Sequence, residues 1–256
     1  MTRLIFYMLS FLALQISAQQ AWAAQKKIIF CTHLGFEPYV IKDQKKLSGI
    51  DIDIVHELIE RAHLDAEITL LPWARLLHSL QNGSCDAGFS LFDSDPRRHY
   101  VDYIFSAPIH VSNIVLFTRK GKEFRFEKIS DIYNHTIAYN RGFRFSHELN
   151  MSIENRFIPH QEYDNLKSAI SMLLAGRIDA ILENEVRVNY FLKSYGVEEK
   201  LSQLNVPFMP LEPAFLVLSK KTQVSDPTAL KWKLEKILSQ MSESGRLKEI
   251  TEKYTD

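Results

Sequence analysis

An alternation of strand and helix signals that runs partway along the chain and then starts again constrains this fold more than any other feature. Lys27 to Thr32 is a short apolar run suited to a buried strand, and Gly35 to Lys46 is loop-like around Pro38. From Ile50, the apolar positions Ile50, Ile54, Val55, Leu58, Ile59 and Ala62 recur at helical spacing. Ile68 to Leu71 reads as a second strand. Trp73, Leu76, Leu77 and Leu80 line one face of a second helix that stops at Asn82-Gly83, and Asp86 to Phe92 reads as a third strand. Strands separated by helices at this spacing predict parallel pairing with helices on the sheet faces. The order then restarts: strand at Thr136 to Tyr139, helix from Leu166 to Ala175 ended by Gly176, strand at Ile178 to Leu182, helix from Val186 to Tyr195. The stretch from Leu80 through Gly83 to Asp86-Ala87 is echoed by Leu174, Gly176 and Asp179-Ala180. Two α/β lobes with one local plan explain this more simply than a single long sheet. Val115 to Gly121 and Phe215 to Ser219 are the candidate crossovers, which puts residues 24–117 with 215–256 in one lobe and 118–214 in the other.

The amino terminus has the three parts of a secretory signal: the cationic start Met1-Thr2-Arg3, an apolar run from Leu4 to Ile16, and the small-x-small site Ala21-Trp22-Ala23. Residues 1–23 therefore read as a cleaved signal peptide and the remainder as an exported, periplasmic domain. Over the whole chain 31 basic residues balance 31 acidic ones, so it lacks the basic excess that non-specific nucleic-acid binding requires. An oxidising compartment would allow Cys31 and Cys85 to pair. Cys31 at the end of one strand and Cys85 at the start of another parallel one predict a separation of about 10 Å, too long to bridge, and hence two buried thiols.

A set of short motifs adds a resemblance. Phe36-Glu37-Pro38-Tyr39, Gly49 to Asp53, Trp73 with Leu80 to Asp86, Asp95 to Arg98, Phe105 to Pro108, Gly176 to Ala180, and the tail Gly245 to Ile250 with Tyr254 resemble, in this order, the family 3 bacterial extracellular solute-binding proteins. These are periplasmic receptors for polar amino acids and related small solutes. The resemblance implies a type II periplasmic-binding-protein fold, two lobes joined by two crossover strands. It implies a small-molecule ligand held in the cleft and delivered to an ABC-type membrane permease, by a protein acting as a monomer without a cofactor.

The same resemblance assigns the cleft residue by residue. The family's carboxylate-binding arginine, at a helix start twelve residues after Asp86, falls on Arg98, with Arg97 as the alternative and Asp95-Pro96 supplying the helix start. A guanidinium suits this role because two parallel N–H groups match a carboxylate. Phe36 and Trp73 fall where the family places aromatic walls, and Ser90 falls among the ligand contacts that follow Asp86. Three positions depart from the amino-acid pattern. Asn184 replaces the aspartate that pairs with an α-ammonium, Asp93 replaces a serine or threonine, and the small anion loop is Gly142-Phe143-Arg144-Phe145, with a second guanidinium. Two readings stay open: Asp93 serves a zwitterion in place of the missing aspartate, or Arg98 and Arg144 face each other around an anion. The departures favour a carboxylated solute that is not a standard α-amino acid.

No His-Glu-x-x-His, Gly-x-Ser-x-Gly, Cys-x-x-Cys or Gly-x-Gly-x-x-Gly occurs, and the nine histidines are scattered, so neither catalysis nor a metal is expected. Some periplasmic dehydratases share the implied fold and use a cleft acid. Glu183 or Glu185 could serve as one, although each reads more simply as a solvated acid at a helix start. A ligand-sensing partner of a membrane receptor is the third class.

Overall fold

The computed structural model describes residues 27–44, 46–141, 146–204, 208 and 210–255. The signal-peptide reading of residues 1–23 and the candidates Gly142 and Arg144 lie outside the described residues. In chain order the elements are β1 (Ile28–His33), β2 (Ile41–Asp43), β3 (Lys46–Ser48), α1 (Ile50–Arg61), β4 (Ala66–Leu71), α2 (Trp73–Asn82), β5 (Ala87–Phe92), α3 (Asp95–Arg98), β6 (Val101–Ile104), β7 (His110–Ser112), β8 (Ile114–Arg119), β9 (Ile137–Asn140), α4 (His147–Glu154), β10 (His160–Tyr163), α5 (Leu166–Leu174), β11 (Ala180–Asn184), α6 (Glu185–Tyr195), β12 (Leu201–Gln203), β13 (Glu212–Ser219), α7 (Pro227–Glu243) and α8 (Arg246–Thr255).

One sheet has the order β4-β1-β5-β13-β6, with β7 also on β13, and the other has the order β10-β9-β11-β8-β12. Each has a parallel half and an antiparallel half. β1 runs parallel to β4 and β5, and β9 runs parallel to β10 and β11. The antiparallel strand in each is one that arrives from the other sheet: β13 beside β5 and β6, β8 beside β11 and β12. The chain crosses first at Asn113, between β7 and β8, and again between β12 and β13, where Glu212 to Ala214 pair with Ser112 to His110. The apolar run of β8 pairs within the second sheet and that of β13 within the first.

Both faces of each sheet are covered, so the strands alternate between two cores instead of facing water on one side. In the first lobe, Phe30 and Leu216 join Val55, Leu58, Leu234 and Leu238 of α1 and α7, while Cys31 and Val217 face Leu76 and Leu80 of α2. In the second, Phe117 and Ile181 pack with Ile170, Leu173 and Val188 of α5 and α6, while Leu116 and Leu182 face Leu149 of α4.

The thiol expectation is overturned: Cys31 and Cys85 form a disulfide, with Cα atoms 6.0 Å apart. Cys85 is not the first residue of a strand. It lies in the bend between α2 and β5, where its N–H donates to Ser79 O at 3.1 Å, and this bend turns its side chain back over the face that carries Cys31. Gly83 makes the bend possible, with φ of 83° and its Cα facing the Lys221 carbonyl so closely that a Cβ would lie 2.2 Å from that oxygen.

The stretch read as a loop around Pro38 leads into a short hairpin of β2 and β3 and rests on the start of α1. Ile50 and Asp51 N–H groups donate to the Pro38 and Tyr39 carbonyls, each at 3.0 Å, so this loop itself satisfies the first turn of the helix. The approach needs Gly49, where a Cβ would come within 2.5 Å of Tyr39 O. At the far end of the chain, Tyr254 donates to Asp53 at 2.7 Å and accepts from Gly49 N–H at 3.0 Å, which ties α8 to the same corner.

Candidate functional site

The parallel strands of both sheets end in loops that converge where the two lobes meet. From the first sheet come His33 to Tyr39 after β1, Trp73 after β4, and Asp93 after β5; from the second come Tyr163 ending β10 and Asn184 ending β11. In open α/β sheets this carboxyl edge is where ligands bind.

Direct hydrogen bonds join the lobes there. Tyr39 Oη lies 3.3 Å from Asn184 Oδ1 and 3.2 Å from Asn184 Nδ2, and Arg187 Nη2 donates to Gly35 O at 3.3 Å. Asn184, 1% exposed, is also the N-cap of α6, its Oδ1 accepting from Arg187 N–H at 3.0 Å. The Asn184 amide is thus engaged by both lobes. Burial pushes the Tyr39 phenol well above its ordinary value, so it stays a neutral hydroxyl able to both donate and accept.

Behind Tyr39 is a buried polar chain. Its ring stacks on Phe36 (centroids 5.1 Å apart) and on His110 (4.0 Å). His110 Nδ1 lies 2.8 and 2.9 Å from the two oxygens of Asp51, which also accepts from Ser90 Oγ at 2.5 Å, and Ser90 Oγ is 3.1 Å from Thr32 Oγ1. Ser90 has φ of 67° inside the bulge where β5 slips against β13. Bulges re-aim side chains, and the left-handed backbone of a non-glycine residue costs about 1–3 kcal/mol. Phe36, Ser90 and Asn184, three of the residues expected in the cleft, are therefore linked through Tyr39, His110 and Asp51.

The second-lobe wall is a buried ion pair. Arg187 Nη1 donates to Glu183 Oε2 at 2.7 Å, with the two side chains 5% and 0% exposed. Glu183 also accepts from Tyr163 Oη at 2.8 Å and from Asn184 N–H at 2.7 Å. The expectation of a solvated acid at a helix start fails for Glu183, because it belongs to β11 and points inward. Glu185 does begin α6, half-buried, and its carboxylate accepts from Asn113 Nδ2 at the crossing, at 2.7 Å. The Arg187 guanidinium lies 4.8 Å over the Phe36 ring. Its charge also helps to hold the His33 imidazole below its ordinary value, after burial, which is the larger cause.

Trp73 is half-buried, edge-on to His33 at 5.9 Å, with the Arg97 guanidinium 5.1 Å from its ring centre. Arg97 Nη1 also donates to Phe92 O at 2.7 Å. Arg98 and Asp93 are together: Arg98 Nε donates to Asp93 Oδ1 at 2.9 Å and Nη2 to Asp93 Oδ2, with Asp95 at 3.5 Å and the Phe105 ring beneath. The Asp93 hydrogen bond holds the Arg98 guanidinium still more firmly protonated than usual. Tyr39, His110 and Arg187 are the residues the motif reading left unassigned. Tyr39 was within reach, since it closes the Phe36-to-Tyr39 motif. Among the described residues, no group of three or more His, Cys, Asp or Glu is placed to hold a metal ion.

Two mixed sheets joined by paired crossings, with their carboxyl-edge loops in contact across the junction, define a two-lobed binding protein of the type II periplasmic kind. The chain belongs to the bacterial extracellular solute-binding proteins, family 3, whose model matches residues 28–256. It is similar to the probable amino-acid-binding protein YxeM of Bacillus subtilis (strain 168), 22% identical over 218 residues that cover 85% of this chain and 79% of the relative. It is also similar to the arginine-binding extracellular protein ArtP of the same organism, 21% identical over 243 residues, 91% of this chain and 87% of that one. In three dimensions it resembles an ancestral arginine-binding protein bound to arginine, with TM-score 0.73, 20% identity, and 91% and 99% of the two chains covered.

Proposed function

We propose that this protein captures a small carboxylated solute, an amino acid or related organic acid, between its two lobes and presents it in the periplasm to an ABC-type importer. In this reading it performs no chemistry of its own. The sheet carrying β1 and β13 with α1, α7 and α8 is one lobe and the sheet carrying β8 to β12 the other, and the two close on the ligand about the crossings.

What carries the reading is the Arg98 fork, half exposed and gripping a carboxylate, that of Asp93, with two nitrogens. A ligand carboxylate would take the place of Asp93 in that grip. The two aromatic walls support an anion over a cation, because Phe36 and Trp73 each already lie beside one of the protein's own guanidinium groups. Since ArtP is arginine-binding by its name, cationic amino acids are the competitors to exclude.

Titration calorimetry of ligand-stripped protein against amino acids, dicarboxylates and aromatic acids tests the proposal. Arg98→Ala should weaken a carboxylated ligand at least tenfold, about 1.4 kcal/mol, with the fold intact. Unchanged affinity moves the anchor to Arg97 or Arg144, and failure of every carboxylated solute to bind the wild type defeats the reading.

A further inference from the structure

Arg187 is held as a bound ligand would be held. One outer nitrogen meets the Glu183 carboxylate at 2.7 Å, the other meets the Gly35 carbonyl at 3.3 Å, and the Phe36 ring lies 4.8 Å from the guanidinium carbon. Each partner is a recognised way to bind a guanidinium: a carboxylate oxygen accepting from one outer nitrogen, a carbonyl accepting from the other, and an aromatic face attracting the cation. Tyr163 and the Asn184 N–H fix the Glu183 carboxylate from behind, at 2.8 and 2.7 Å. The inner Nε, buried, makes no hydrogen bond among the described residues, so the outer end of the side chain carries the polar contacts. Gly35 and Phe36 come from the first lobe and Glu183 from the second, so the seat is complete only where the lobes meet.

We propose that Arg187 is the tethered occupant of a guanidinium seat, and that by filling it this side chain sets the charge selectivity of the cleft. A solute whose cationic end would lie on Phe36 finds the seat taken. Removing the Arg187 side chain opens a site for guanidinium-bearing molecules, because a buried Glu183 without its partner strongly favours any cation that can reach it. The inference rests on the proposed reading of the cleft as the solute site and deepens it by naming the residue that turns cationic solutes away.

The test is thermal melting of the full chain and of Arg187→Ala, titrated with methylguanidinium chloride against sodium chloride at matched ionic strength, followed by L-arginine. The variant alone should melt below the wild type. Methylguanidinium should raise its melting temperature saturably, with an apparent affinity at least tenfold above that for the wild type, and adding Glu183→Gln should abolish the effect. L-arginine should bind the variant and not the wild type. If Arg187→Ala does not fold by itself, refolding with methylguanidinium supplies the readout: recovery of the native circular-dichroism spectrum supports the seat, and no recovery overturns it. Equal stabilisation of wild type and variant, or stabilisation that survives Glu183→Gln, also overturns the seat. Methylguanidinium binding without arginine binding, or arginine binding by the wild type, overturns the selectivity. Carboxylated solutes are titrated separately on the wild type, so a failed seat leaves that reading standing and failed carboxylate binding leaves the seat result intact.

Discussion

Asp86 in the first lobe and Asp179 in the second solve the same local problem in the same way, yet their surroundings differ. Asp86 N–H donates to Ile29 O at 3.0 Å while its carboxylate accepts from Ile29 N–H at 3.0 Å. Asp179 N–H donates to Thr136 O at 2.9 Å while its carboxylate accepts from Thr136 N–H at 2.8 Å. Each aspartate registers an incoming parallel strand against its neighbour. Asp86, however, is 3% exposed and also accepts from Thr222 Oγ1 at 2.7 Å and Gln223 N–H at 3.1 Å, whereas Asp179 is exposed. The returning carboxyl-terminal segment buries the first copy. A repeated sequence phrase therefore reproduces a hydrogen-bond pattern, while its energetic weight depends on what the rest of the chain lays over it.

The largest expected break in the comparison is covalent. The disulfide spans 54 residues of the first lobe, and no cystine joins strands in the described part of the second. Cys31→Ser with Cys85→Ser should cost about 4 kcal/mol on the loop-entropy account. Hydrogen exchange should report the loss in β1, α2 and β5 and leave β9 and β11 protected.

Next comes the pair of aspartates. Asp86→Ala removes a buried acceptor from three donors, two of them on the half-buried Ile29 and Thr222, and should cost about 2–3 kcal/mol in urea unfolding, against less than about 1 kcal/mol for the exposed Asp179→Ala. Equal losses would mean that the covering segment contributes nothing.

The smallest effect is a pH dependence at the junction. His33 has its folded pKa lowered from 6.5 by burial and then by Arg187 across the cleft. As pH falls through the ordinary value, the unfolded chain takes up a proton that the folded chain resists, so stability declines from pH 6.5 towards the lowered folded pKa. His33→Gln should flatten the fall in melting temperature between about pH 7.5 and about pH 5.5.

Much of the scaffold was legible along the chain, because hydrophobic period is a local property. The helix at Ile50–Arg61, the one at Trp73–Asn82 stopped by a left-handed Gly83, and the buried strand at Ala87–Phe92 all follow from spacing and punctuation. β10 did not show itself, since His160 to Glu162 are exposed at a sheet edge and carry no apolar alternation. Phe36, Ser90 and Asn184 could be picked out by position within ordered motifs, and their partners Tyr39 and Asp51 stand in motifs too, but His110 and Arg187 carry no such mark.

Sequence by itself determined the two-lobe repeat, the family, and the motif positions at the carboxyl edge, all of which are written in residue order. Only the tertiary structure decided which side chains meet there. Glu183 and Arg187 stand at the spacing of an ordinary exposed helical pair, yet the chain passes from strand to helix at Asn184, which turns both inward. Arg187 then meets Gly35 and Phe36 from the opposite end of the sequence. Such a meeting depends on how two separately folded sheets are set against each other, and local spacing carries no record of that.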